Sequence, residues 1–137
     1  MEKATFGAGC FWSAEAAFHP LAGVVDTAVG YDDATGTELV QVEYDPQQVT
    51  YERLLDVFWE IDDPTAPNRS ELYRSVIYFH TPQQERAARA SKQHLDSSGT
   101  FRRPIVTDIL PAPRFDRAPD SDQHYYTRHR AFGCAIG

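Results

Sequence analysis

Cysteine is scarce in this chain, with two among 137 residues, too few for a disulfide scaffold of the kind that staples small secreted domains. No stretch approaches the ~18 consecutive apolar residues of a membrane-spanning helix. Residues 1–6 hold one lysine and no apolar run, so no secretory signal is expected and the expected location is cytoplasmic. Basic residues are outnumbered, 13 against 20 acidic, for a net charge of -7. That balance argues against nucleic acid or an anionic membrane as the main partner. Internal repeats, low-complexity tracts and long linkers are absent, and so are GxGxxG, P-loop and GxSxG elements. What remains is an ordinary globular mix, 42% hydrophobic and 24% charged. It is expected to form one domain over residues 1–137, large enough to bury a single core.

The pattern predicts eight elements. Residues 4–8 read as a short strand ended by Gly9. Residues 11–19 read as a helix, since Ala14, Glu15, Ala16 and Ala17 are helix-compatible and Pro20 stops it. Residues 24–31 and 38–44 read as strands joined by a hairpin at 32–36. Thr50 reads as the N-cap of a helix carrying Leu54, Leu55, Val57, Phe58 and Ile61 at helical spacing. Residues 73–80 read as a strand, and Pro82 opens a polar helix to about Ser98 with Gly99 as its stop. Residues 105–110 read as the last strand, while 61–70 and 111–122 read as loops. The order predicts an α+β fold: a two-layer sandwich of a mixed or antiparallel sheet with a split βαβ (ferredoxin-like) core and helices packed on one face.

Cys10 lies in Gly7-Ala8-Gly9-Cys10-Phe11-Trp12, at the turn from first strand to first helix. Backbone N–H groups and the dipole at a helix start favour a thiolate there, and Phe11 and Trp12 offer an apolar wall for a small substrate group. The same position also suits a buried structural cysteine. Cys134, in Gly133-Cys134-Ala135-Ile136-Gly137, suits a second, resolving thiol, an unrelated cysteine or one half of a static disulfide. Glu38 opens the third strand at the sheet end where Tyr31 closes the second. Desolvation there would raise its pKa toward that of a proton donor; a solvated hairpin glutamate is the other reading. Tyr31 and Tyr73 fit either ligand hydrogen bonding or an amphipathic rim. His124, His129 and Cys134 recur at intervals near Asp122, but the spacing matches no strong zinc signature, and no metal is expected.

Taken in order, these motifs resemble the peptide methionine sulfoxide reductase A family. Gly9-Cys10-Phe11-Trp12 with Ala14-Glu15 is similar to its nucleophile signature, and Gly23-Val24-Val25 and Val29-Gly30-Tyr31 to the following strand. Glu38-Leu39-Val40-Gln41-Val42-Glu43-Tyr44-Asp45-Pro46 resembles the segment that opens with the family's acidic residue. Leu54-Leu55-Asp56-Val57-Phe58-Trp59, Asp63-Pro64-Thr65, Asn68-Arg69, Tyr73-Arg74-Ser75, Gln123, Tyr125 and Gly133-Cys134 extend the match over nearly the whole chain. The resemblance implies that Cys10 attacks the sulfur of a methionine-S-sulfoxide, free or in proteins. It implies that Glu38 protonates the oxygen, that Tyr31 and Tyr73 hydrogen-bond it, and that Phe11 and Trp12 hold the S-methyl group. Cys134 would then condense with the Cys10 sulfenic acid, and thioredoxin would reduce the disulfide. No cofactor is implied, and a monomer is expected.

The chain departs from the family pattern in four places. Ser13 stands where glycine is usual. The loop before Glu38 is short, with Gly36-Thr37 in place of a histidine and a small residue. The loop before Tyr73 is short and lacks the family's aspartate, for which Glu71 is the available stand-in. Asp122 occupies the position of the C-terminal histidine. Two trimmed loops beside one site predict a more open pocket and weaker desolvation of Glu38. Two other functions remain at this point: a different thiol oxidoreductase on the same fold, and a non-catalytic relative that binds oxidised methionine.

Overall fold

The computed structural model describes residues 1–66 and 69–128. In chain order its elements are β1 (Glu2–Ala8), α1 (Phe11–Phe18), β2 (Val24–Asp32), β3 (Glu38–Tyr44), α2 (Tyr51–Ile61), β4 (Ser75–Phe79), α3 (Pro82–Ser97), β5 (Asp108–Pro111), β6 (Phe115–Arg117) and α4 (Tyr125–Arg128). Short 3-10 turns, Glu71–Tyr73 and Asp120–Asp122, precede β4 and α4. The strands form one six-stranded sheet in the order β5-β4-β1-β3-β2-β6. Neighbours run antiparallel except β4 and β5, which are parallel. The fold is α+β with a mixed sheet.

Strand alternation explains which residues face the helices. Ala4 pairs with Val42, Phe6 with Val40 and Ile77, and Val29 with Val40. All of these join one buried cluster with Phe11, Ala14 and Phe18 of α1 and Leu54, Leu55 and Phe58 of α2. The same parity continues to the end of each strand. It puts Ala8, Tyr31, Glu38 and Ser75 at one end of the sheet, on the helix-covered face. The opposite face carries a smaller cluster of Leu39, Val76 and Tyr78 under Ala112 and Phe115. There the Tyr78 hydroxyl donates to buried Asp32 at 2.6 Å.

The helix boundaries follow from their caps. Thr50 accepts the Arg53 N–H, and Thr81 accepts the Gln84 N–H, each at 3.1 Å, with Pro82 in the first turn of α3. Gly30 has no room for a side chain. A Cβ there would stand 2.3 Å from the Asp116 carbonyl oxygen and 2.7 Å from the Phe115 ring, because β6 lies directly against β2.

Four departures from the sequence expectation have a clear physical cause. Tyr73 lies in the 3-10 turn before β4 rather than in the strand, since the Tyr73 N–H closes on the Ser70 carbonyl at 3.1 Å. The strand expected at 105–110 begins at Asp108; upstream, the Val106 N–H turns to the Pro64 carbonyl at 2.6 Å. Residues 111–122, read as a loop, contain β6, whose three residues carry too little apolar alternation to announce a strand. Strand β1 starts at Glu2, because pairing with Tyr44 extends it beyond its apolar residues.

Phe6 is the centre of the core. It is fully buried, with ring centroids 5.1 Å from Phe18 and 5.4 Å from Phe58. Replacing it removes the contacts of β1 with α1 and α2 together and leaves a cavity in the core. Phe6→Ala is expected to lower unfolding stability by about 3–5 kcal/mol. Urea denaturation of wild type and variant measures this directly, and a loss under 1 kcal/mol would contradict the packing described.

Candidate active site

The turn from β1 into α1 is made by Gly9, whose φ of +78° is a conformation that side chains rarely tolerate. Cys10 follows as the extended N-cap residue of α1, with φ -61° and ψ 123°. It is buried at 7% exposure and is not a free thiol in this structure. Its own side chain makes no capping hydrogen bond. The cap comes from another strand: the Phe11 N–H donates to Glu38 Oε1 at 3.0 Å. The first carboxyl of β3 is thereby fastened to the helix start that carries Cys10.

Opposing influences act on Glu38. Burial raises its pKa, the Phe11 hydrogen bond lowers it, and the nearby Asp122 charge raises it again. The net direction is upward, so the carboxyl holds its proton to higher pH than a solvated glutamate. Burial remains the leading cause even with two short loops alongside. Tyr31 and Tyr73 are both raised as well, chiefly by burial, and Glu38 adds to each. Both phenols stay protonated and able to donate.

Phe11 and Trp12 flank the site differently. Phe11 is 4% exposed and belongs to the main core, with its ring 5.5 Å from Tyr31. Trp12 is half-buried, and Tyr125 stacks on its indole at 3.7 Å with ring planes 7° apart. The indole N–H donates to Asp122 Oδ1 at 3.3 Å. On the other side of Cys10 lies an open groove lined by Gly9, Ser13, Asp62, Ala66, Arg69, Ser70 and Tyr73. Phe11, Trp12, Tyr31 and Glu38 do not line this groove. Glu38 links the two sides, since its charge acts on Tyr31 and Tyr73 alike.

Arg69 builds the wall of the groove. Its guanidinium donates to Asp62 Oδ1 and to the Tyr73 carbonyl, both at 2.8 Å, and to the Asp63 carbonyl at 2.9 Å. Asp62 is itself buried and accepts the Ser75 hydroxyl at 2.6 Å. Glu71 is turned away from any stand-in role and pairs with Arg74 at 3.2 Å. The two short loops brace each other: the hydroxyl of fully buried Thr37 donates to the Glu71 carbonyl at 2.8 Å.

Asp122 and Tyr125 are the residues that sequence reasoning missed as site members. Gln123, in the polar segment that leads into α4, is buried at 4% exposure. Its amide mimics a strand partner. It accepts the Val29 N–H at 2.8 Å and donates to the Val29 and Ala118 carbonyls at 2.9 Å. The His124 N–H donates to buried Glu15 at 2.7 Å. These bonds draw the segment onto α1 and β2. The available signals were the match at Gln123 and Tyr125 and the place of Asp122 at the family's C-terminal histidine position. His129 and Cys134 lie outside the described residues, and among the described residues no group of histidine, cysteine and carboxylate side chains could hold a metal ion.

A cysteine at a helix start, with a half-buried carboxyl bound to the same turn and two phenols nearby, defines a cysteine-centred α+β protein with an acid at hand. Comparison with known proteins specifies the class. The family model described as peptide methionine sulfoxide reductase matches residues 2–137. Peptide methionine sulfoxide reductase MsrA of Methanoculleus marisnigri is 49% identical, covering 98% of this chain and 94% of its own. The MsrA of Geobacter sulfurreducens is 46% identical, covering 98% and 95%. Among solved structures, methionine sulfoxide reductase A of Corynebacterium diphtheriae superposes with a TM-score of 0.78 at 31% identity, over 99% of this chain and 82% of that one. Mxr1 of Saccharomyces cerevisiae in complex with Trx2 superposes with a TM-score of 0.71 at 27% identity, over 90% and 84%. The chain belongs to the peptide methionine sulfoxide reductase family. The alignment with the Methanoculleus relative spans 154 positions, more than the 137 residues here, so that relative carries segments this chain lacks.

The Thr37 brace is specific enough to test. Thr37→Val keeps the volume but removes the hydroxyl that donates to the Glu71 carbonyl. It is expected to cost about 0.5–1.5 kcal/mol of stability, with Thr37→Ser recovering most of it. Chemical denaturation of the three proteins checks this, and equal midpoints would show that the loops do not depend on each other.

Proposed function

We propose that this protein reduces methionine-S-sulfoxide, free or within proteins, to methionine, as a thiol-dependent peptide-methionine (S)-S-oxide reductase that repairs oxidative damage. The observation that carries the reading is the Phe11 N–H to Glu38 hydrogen bond of 3.0 Å. It holds an acid with an upward-shifted pKa beside the turn that presents Cys10.

In the reduced protein, the Cys10 thiolate attacks the sulfoxide sulfur while Glu38 delivers a proton to its oxygen. Tyr31 and Tyr73, held as phenols, donate hydrogen bonds to that oxygen as negative charge builds on it. Phe11 and Trp12 wall the S-methyl group. Methionine leaves, two electrons having passed from the Cys10 sulfur to the substrate sulfur, and Cys10 is left as the sulfenic acid. The Cys134 thiol condenses with it, releasing water and forming a disulfide. A thioredoxin-type dithiol then reduces that disulfide and returns the enzyme to its starting state. A reducing compartment such as the cytoplasm supplies that dithiol. No helix among the described residues is long and apolar enough to cross a membrane.

Single-turnover reduction tests the whole cycle. Pre-reduced protein is mixed with S or R methionine sulfoxide without added reductant, and methionine and free thiols are counted. About one methionine per chain from the S epimer, with both thiols lost, is the expected result; no methionine from either epimer would refute the proposal.

Glu38 also sets a pH dependence. A raised acid stays protonated through and above the ordinary carboxylate range. The limb of the rate profile that Glu38 governs should therefore fall as pH rises through the Glu38 pKa. Glu38→Gln should lower turnover by about 10²–10⁴-fold and abolish this limb. Retained turnover in Glu38→Gln would instead indicate simple thiol chemistry.

A further inference from the structure

Asp122 is half-buried in the candidate active site, yet the proposed reaction gives it no task. Its Oδ1 accepts the Trp12 indole N–H at 3.3 Å, and Tyr125 stacks on the same indole at 3.7 Å. The backbone around it is held on both sides. The Asp122 N–H donates to the Pro119 carbonyl at 2.9 Å, and the neighbouring Gln123 amide makes three hydrogen bonds to Val29 and Ala118. A carboxylate so placed does not swing freely into solvent. Trp12 follows Phe11, whose N–H holds Glu38, so one turn of α1 connects the two carboxyl groups.

The charges around Glu38 reinforce this placement. From β2 it faces Tyr31, from the 3-10 turn before β4 it faces Tyr73, and from the segment before α4 it faces Asp122. Asp116 of β6 acts on Tyr31 from the same side. Among the described residues no arginine or lysine forms an ion pair with Asp122. Its negative charge therefore falls on Glu38 and Tyr31 without a neutralising partner in that set.

We propose that Asp122 is a positioning residue for sulfoxide reduction, anchoring the Trp12 indole by its hydrogen bond and setting a second carboxylate against Glu38; this rests on the reductase reaction proposed above. Two carboxyl groups in one partly desolvated site resist carrying charge together. The Asp122 oxygen is committed to the indole N–H, and Glu38, raised by burial and by the charge beside it, keeps the proton that the substrate oxygen needs. Burial is the larger influence on Glu38, and the Asp122 charge adds to it from the side of the Trp12 indole.

Two substitutions separate the anchor from the charge. Asp122→Asn retains an oxygen that accepts the indole N–H but removes the charge, whereas Asp122→Ala removes both. Rates with an S-methionine sulfoxide peptide are measured from pH 5 to 9 for wild type, both variants and Glu38→Gln. Asp122→Asn should keep its KM and its rate at low pH, while its alkaline limb moves to lower pH. Its rate at pH 8 should then drop at least threefold. Asp122→Ala should show that shift together with a KM raised several-fold and altered Trp12 fluorescence, read in a Trp59→Phe background. An Asp122→Asn profile that overlays wild type overturns the electrostatic role, and an Asp122→Ala KM equal to wild type overturns the anchoring role. If Glu38→Gln turns over as fast as wild type, the underlying reaction assignment fails instead, whatever Asp122 does. Thermal midpoints within a few degrees of wild type confirm that the variants are folded.

Discussion

One hydrogen bond joins the two halves of the candidate chemistry. The Phe11 N–H belongs to the first turn of α1, and Glu38 is the first residue of β3. A helix start needs acceptors for its exposed N–H groups, and here the acceptor comes from the sheet rather than from a local cap. The cysteine position and the acid are thereby fixed to each other. The helix start also favours the ionised carboxylate, so burial and the neighbouring Asp122 charge must outweigh it for Glu38 to act as an acid. Their combined effect does so, and the net shift is upward.

The sheet makes this bond geometrically available. Parity along β1, β2, β3 and β4 brings Ala8, Tyr31, Glu38 and Ser75 to the helix-covered face at one end. Shortened loops at that end do not hang free. Thr37 bonds the Glu71 carbonyl, and Arg69 ties the Tyr73 carbonyl to Asp62 and through it to Ser75. Buried polar side chains thus brace this end of the sheet.

Much of this was legible in the sequence because short-range rules dictate it. The Thr50 and Thr81 caps, Pro82, Gly9 and the alternation of β3 each announce their element within a few residues. Cys10, Glu38, Tyr31 and Tyr73 stood out as candidates near strand and helix ends, and only the family resemblance gave them roles. Strand β6 and the Gln123 clamp were not legible, since neither has a local signature. Phe115–Arg117 becomes a strand only because Gly30 lets it approach β2, and Gln123 is buried because it takes the Val29 N–H just beyond the β2–β6 pairing. Asp122 was hidden for the same reason: its place in the site depends on a partner 110 positions away.

That separation has a kinetic meaning. Contacts between distant parts of a chain form late, because the intervening loop must be closed before they contribute. The turn that presents Cys10 and the hairpin that presents Glu38 are local and can organise early. The cover over Trp12 must wait until β6 has docked on β2 and Gln123 has taken its place beside Val29. A chain paused before that step holds a cysteine and an acid in register but no finished wall for a substrate. The order of assembly therefore keeps substrate recognition behind completion of the fold.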